Sequence, residues 1–272
     1  MGKSTVQYFI IAFIISMAFA YLMGWNQNGE NHEEEAMRVA AENNQEEELI
    51  ETEFEGIQLK RWTQDHTSYQ IVVNIPMFGI EEIDNFFEED AEQRVEHFIA
   101  LIEHNGRVSE SHPGVFYLTT DLYQSGEDLF SVVQSEETYT GGANFDQKSY
   151  VYLVDLKAEE FVDQSDLFDH PFAAQERFFE LVEEGLRESE YYADYILEDE
   201  LQKWLSQDEY DFSNVFIRNK NLVVKFDKYE VTSGVAGMPE IEVDLDEMKE
   251  FMNEEWIERI EAIEETSEEY FL

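Results

Sequence analysis

The 272-residue chain contains no cysteine, which excludes thiolate nucleophiles, disulfides and cysteine-held metals. Its chemistry must come from hydroxyls, histidines and carboxylates. His97 and His104 fall on one helix face at i,i+7, but about 10 Å of axial rise separates such positions, too far for both to chelate one ion. There is no HExxH pattern and no GxSxG elbow to present a serine. Asp163, Asp166 and Asp169 cluster near a loop, without the glycine and bidentate glutamate of an EF-hand. With 63 Asp and Glu, paired carboxylates for glycoside hydrolysis would arise beside almost any groove, so their presence carries no information. The expectation is a chain with no catalytic residues, no metal and no cofactor. A cell-wall glycan hydrolase using two carboxylates, or a structural envelope protein, stands as the alternative.

Two local sequences are unusual. Tyr139-Thr140-Gly141-Gly142-Ala143-Asn144 places a glycine pair between segments of strong strand character, and glycine permits positive φ and close approach of another group. Phe226-Asp227-Lys228-Tyr229-Glu230-Val231 is followed by Gly234 and Gly237. Read alone, the first is a turn and the second an amphipathic strand leading into a bend.

The elements that must position them read as α+β. Strand alternation begins near Phe54 and continues through SYQIVVNIPM to Pro76. After Gly79 the apolar residues Ile80, Ile83, Phe87, Ala91, Val95, Phe98 and Ile102 recur every three or four positions, the stripe of an amphipathic helix. Strands follow at GVFYLTTDLY, DLFSVVQSEETYT and KSYVYLVDL, with a short partner near Phe161. A helical region spans about 171–205, two strands meet at Asn219-Lys220-Asn221, and a last helix carries Met248, Met252, Trp256, Ile260 and Ile263. Strands and helices are grouped rather than alternating, which favours mixed antiparallel sheet units with packed helices over a parallel α/β sheet.

Taken together and in order, YTGGAN, the strand and turn SYVYLVDLKAEEFVDQSDLF, a helix and VVKFDKYEVTSGVAG resemble the C-terminal domain of the RsiV family, found also in PdaC-type exported proteins. The resemblance covers about residues 110–255, and residues 54–109 are similar to the smaller domain that precedes it. It implies an exported domain, tethered by an N-terminal helix, that in RsiV captures lysozyme and controls release of a sigma factor. Asn144 stands where the family has histidine, and Glu159 where a turn glycine is usual. The separate catalytic domain of PdaC-type deacetylases has no counterpart. On the strength of the two motifs, Tyr139, Thr140, Gly141, Gly142, Asn144, Asp227, Tyr229 and Glu230 are the candidate ligand-binding residues.

Residues 8–25 carry no charge, and eighteen helical residues rise about 27 Å against a hydrocarbon core of about 30 Å. Lys3 precedes this run and Glu30, Glu33, Glu34 and Glu35 follow it, so the positive-inside rule leaves residues 1–7 in the cytoplasm and the rest outside. A signal peptide cut after Ala18-Phe19-Ala20 would export the same domain. Residues 26–53 read as an acidic stalk, 54–109 as a small α+β unit and 110–272 as the RsiV-like domain. Seven cytoplasmic residues cannot enclose a sigma factor, so none is expected as a partner. The formal net charge of -46 excludes nucleic acid, whose phosphates would be repelled. Salt adaptation, solubility or attraction of a cationic partner each accounts for such acidity. The expected role is recognition of an envelope ligand, either a cationic protein such as lysozyme or a cell-wall polymer such as peptidoglycan, from the outer face of the cell membrane. Protease added to intact spheroplasts is expected to digest the acidic domain; full protection would overturn this topology.

Overall fold

The computed structural model describes residues 44–263. The expected membrane segment at 8–25 and the greater part of the expected stalk lie outside them. Among the described residues no helix is long and apolar enough to cross a membrane.

Seven strands form one sheet in sequence order: β1 (Asn44–Glu51), β2 (Gln58–His66), β3 (Tyr69–Met77), β4 (Gly114–Gly126), β5 (Leu129–Tyr139), β6 (Asp146–Asp155) and β7 (Glu160–Val162). The β3–β4 pair is parallel, and the pairings β2–β3, β4–β5, β5–β6 and β6–β7 are antiparallel. Helix α1 (Glu81–Asn105) makes the parallel crossover between β3 and β4. Its stripe Ile83, Phe87, Ala91, Val95, Phe98 and Ile102 is buried, as its spacing predicts. That stripe shares a core with Ile71, Val73, Ile75, Phe116, Leu118, Phe130, Val132 and Val154 on one sheet face. At its start Asp84 accepts the Phe78 and Gly79 N–H groups at 2.7 and 3.0 Å, and Gly106 closes it in the left-handed conformation.

A second, three-stranded sheet orders β10 (Glu240–Asp244), β9 (Asn221–Lys225) and β8 (Val215–Arg218). Because strand side chains alternate, Phe216 and Val223 turn toward Val133, Val151 and Tyr123 of the large sheet. Val215, Ile217, Leu222 and Val224 join the core formed with Phe178, Phe179 and Val182 of helix α2 (Pro171–Glu188). Short helices α3 (Glu198–Leu205), α4 (Leu245–Met248) and α5 (Glu254–Glu261) complete the described residues.

The two sheets are joined by two buried serines. Ile217 donates its N–H to Ser131 Oγ at 2.9 Å, Ser131 and Ser125 hydroxyls lie 2.6 Å apart, and Ser125 donates to the Ile217 carbonyl at 2.8 Å. Each hydroxyl has one proton, so the directions are fixed: Ile217 N–H to Ser131, Ser131 to Ser125, Ser125 back to Ile217. The ring satisfies both backbone groups of a residue that β9 alone does not serve.

Several expectations are corrected. Residues 44–51 are not stalk but the edge strand β1, because Glu47 and Glu48 pair with Lys60 and Arg61 of β2 at 3.9 and 3.6 Å. The sheet runs without a break across residue 109. The strand expected through Asp227–Glu230 stops at Lys225, and β10 pairs β9 instead. The second helical region divides into α2 and α3. The last apolar stripe divides at Met252, which bridges Phe168, and Asn253 caps α5 by accepting the Glu255 N–H.

Ser131→Ala is expected to cost about 1–3 kcal/mol, the penalty for leaving the Ile217 N–H buried and unpaired. In a domain of this size that lowers the melting temperature by about 2–4 °C per kcal/mol. Ser125→Ala added to it should cost less than the two changes summed, because both break one ring. A thermal melt of Ser131→Ala indistinguishable from wild type would rule out a structural role for the ring.

Candidate functional site

The β5–β6 hairpin ends in the Tyr139–Asn144 turn. Gly141 has φ of 90°, and a Cβ there would lie 2.6 Å from the Arg107 Cβ, so the glycine serves a close approach by the protein's own chain. The Tyr139 ring packs on Phe145 with centroids 5.3 Å apart. Thr140, Gly142 and Asn144 form the rest of the tip, where Gly142 and Asn144 are exposed.

The Asp227–Glu230 segment reaches this hairpin from the end of β9. It is a turn, not a strand, with Tyr229 at φ of 72°, a conformation costly for a residue with a side chain. Asp227 Oδ1 accepts the Ser149 N–H at 2.7 Å and the Ser149 hydroxyl at 3.1 Å. Lys228 donates its backbone N–H to the Gln147 carbonyl at 3.4 Å and its ammonium to the Phe145 carbonyl at 2.9 Å. The turn therefore clasps the free edge of β6, whose Val151 carbonyl is covered by the Gln164 amide at 3.2 Å. Glu230 closes the turn by accepting the Asp227 N–H at 2.8 Å. The Tyr229 ring lies over Gly234, where a Cβ would come within 2.2 Å of it. Half of Tyr229 remains exposed (49%).

Between α1, the hairpin and this turn lies a groove of about 250 Å³. Helix α1 contributes Arg94, His97, Phe98 and Leu101, the hairpin Glu136, Thr138, Asp146, Gln147 and Lys148, and the turn Asp227, Lys228 and Tyr229. Arg94 stacks on the Tyr150 ring, its guanidinium carbon 3.3 Å from the centroid. It pairs with Asp90 at 2.6 Å and Glu136 at 3.5 Å. Burial, then the Glu136 carboxylate, push the Tyr150 hydroxyl up to about 12, so it stays protonated as a donor to Glu136 at 3.4 Å.

The structure thus brings the two motifs side by side, although Tyr139 and Asp227 are 88 positions apart in sequence. Of the expected site residues, Asp227 and Tyr229 line the groove. Tyr139, Thr140, Gly141, Gly142 and Asn144 frame the adjoining turn. Glu230 lines a neighbouring depression with Tyr210, Asn214 and Lys225. Arg94, Lys148 and Lys228 were not anticipated, and His97, weighed only as a metal ligand, lines the groove with them. Asp163 caps a 3-10 turn by accepting the Ser165 N–H at 2.8 Å. Among the described residues no group of three or more His, Asp or Glu could hold a metal.

These features define an α+β domain of a kind already known in structure. Residues 165–246 match DUF3298, a family described as a protein of unknown function. The chain is 19% identical over 210 residues to the peptidoglycan-N-acetylmuramic acid deacetylase PdaC of Bacillus subtilis (strain 168), covering 77% of this chain and 44% of that protein. It therefore spans less than half the length of that relative. The crystal structure of a DUF3298 family protein from Pseudomonas aeruginosa PAO1 superposes with a TM-score of 0.51 at 14% identity, covering 79% of this chain and 94% of that one. A family member from Bacteroides fragilis NCTC 9343 gives 0.49 at 14% identity, covering 81% and 96%. The resemblance to the domain of PdaC-type proteins is borne out, and the Pseudomonas protein shares the fold well beyond the stretch matched to the family.

Burial, and secondarily the Asp227 charge, raise the Glu230 pKa, while the Asp227 N–H opposes the shift. A carboxyl whose folded pKa exceeds its unfolded value of about 4.3 stabilises the fold below that pH, and this contribution is lost as pH rises through the folded value. Glu230→Gln keeps an oxygen for the Asp227 N–H and removes the charge. It is expected to raise the melting temperature at pH 7.5, with the gain vanishing below about pH 4. A lower melting temperature at pH 7.5 would mean that the ionised carboxylate is needed.

Proposed function

We propose that this chain is an envelope-associated recognition module rather than an enzyme, and that the groove beside Tyr229 receives a cell-wall polymer. The observation that carries this reading is a groove, bordered by the hairpin that bears the first motif and lined by Asp227 and Tyr229 of the second, around a half-exposed tyrosine in a strained backbone conformation. Strain of that kind persists where the surroundings over-determine it and collects at ligand clamps. A tyrosine offers a rigid amphipathic face at small entropic cost. Two of the groove's three carboxylates are held in structural contacts, Glu136 by Arg94 and Tyr150 and Asp227 by Ser149, which weighs against a free carboxylate pair for acid–base chemistry. The similarity to a peptidoglycan deacetylase of Bacillus subtilis supports a wall polymer as the ligand class. An outer-face location, tethered through residues 8–25, belongs to the same proposal.

A second reading is favoured by charge. The net -46 and the acidic outer face of α1, with Glu88, Glu89, Glu92 and Glu96, would steer a cationic protein such as lysozyme. The two differ in what abolishes binding. Co-sedimentation with insoluble peptidoglycan, and a separate lysozyme arm at low and physiological salt, measure both. Tyr229→Gly relieves the positive-φ strain, so the melting temperature should hold or rise, while peptidoglycan binding should fall about tenfold, the loss of a single aromatic anchor. Undiminished peptidoglycan binding by this variant, with lysozyme binding that vanishes in salt, would favour the second reading.

A further inference from the structure

Basic side chains are rare enough here for each partner to be followed. Most of those in the described residues, from Lys60 on β2 to Arg259 on α5, are in ion pairs with Asp or Glu. Arg107, Lys148, Lys157, Lys220 and Lys228 are not. In a chain with 63 carboxylates an unpaired cation is the exception, yet Lys148 and Lys228 line one groove and Arg107 abuts the hairpin that borders it. The register sets Lys148 directly opposite Glu136, the natural cross-strand partner, but Glu136 turns to Arg94 and Tyr150 instead. Lys228 gives one N–H to the Phe145 carbonyl, and an ammonium has two more. Arg94, behind them, is already engaged by Asp90 and Glu136.

We infer that Lys148 and Lys228 form a carboxylate subsite within this groove, with Tyr229 flanking the bound group. The inference rests on the reading of the groove as a wall-polymer site and specifies which group of the polymer it reads: a free acid, as borne by a peptide-substituted sugar. A monoanion fits better than a phosphate dianion. Glu136, Asp146 and Asp227 also line the groove, and they offset the cations closely enough to repel a second negative charge. Nor does a helix N-terminus contribute to the groove, the usual cradle for phosphate oxygens.

The test is calorimetric titration of the full chain with N-acetylmuramyl dipeptide, which carries one free carboxylate, and with the same compound converted to its amide. The acid is expected to bind about tenfold tighter, the scale of one charge-assisted hydrogen bond. Lys148→Met should abolish that preference, bringing the two compounds to equal affinity. Lys148 is exposed and makes no contact that folding needs, so its melting temperature should match wild type. Lys228→Met should act in the same direction, with an added loss from the freed hairpin. Equal binding of acid and amide, or a preference that survives Lys148→Met, would overturn the subsite. If neither compound binds while insoluble peptidoglycan does, the subsite is wrong and the wall-polymer reading stands; if no wall material binds, that reading fails with it.

Discussion

The ring of hydrogen bonds through Ser131, Ser125 and Ile217 is the constraint from which the rest of the arrangement follows. A three-stranded sheet laid on a seven-stranded one has apolar contacts to hold it, here Phe216 and Val223 against Val133, Val151 and Tyr123. Apolar contact is non-directional and leaves sliding and rotation inexpensive. Two hydroxyls that must satisfy one residue's N–H and carbonyl admit a single position, and with both serines fully buried no water can substitute for them. That fixes β8, hence β9 through its register, and hence the point at which the chain leaves Lys225 for the turn at Tyr229.

The turn in turn completes the large sheet. Strand β7 covers only the last three residues of β6, which leaves the first half of that strand as an open edge. Asp227, Lys228 and Gln164 cover it with side-chain and backbone partners rather than with another strand. Covering an edge by a turn keeps its side chains at the surface, where a strand would have tied up its backbone along its whole length. The groove exists because the edge is closed in this way: one wall is the helix that crosses the sheet, the other is the clasp. Its lining comes from three segments that no local sequence pattern connects.

Much of the frame was legible. The α1 stripe, the alternation in β3 to β6 and the glycine-marked turns are local signals, and every stripe position from Ile83 to Ile102 is buried. What failed was decided by neighbours. The stretch FDKYEV alternates like a strand, but Glu230 accepts the Asp227 N–H and folds it back. Glu240–Asp244 is too short and acidic to read as a strand, and becomes one because β9 offers an edge. The glutamates of β1 have no apolar face to betray them; the basic residues of β2 recruit them. Of the motif glycines, Gly141 and Gly234 sit at close approaches, made by Arg107 and Tyr229 of the same chain, whereas nothing crowds Gly142 or Gly237. Lys148 could not be distinguished from an ordinary surface residue without knowing that the fold would turn Glu136, its cross-strand neighbour, toward Arg94.

The edge strand β1 has a consequence for how copies of this domain meet. Its exposed side presents Glu46, Glu47, Glu48 and Glu51, of which two are partly neutralised by β2. An unpaired strand edge is a template for further strands, and proteins that leave one exposed tend to zip together into fibrils. Here a second copy approaching edge to edge would set glutamate against glutamate, and the mutual repulsion would outlast any gain in backbone pairing at neutral pH. Among the described residues β1 ends the sheet, and its glutamates disfavour continuing it into a second copy.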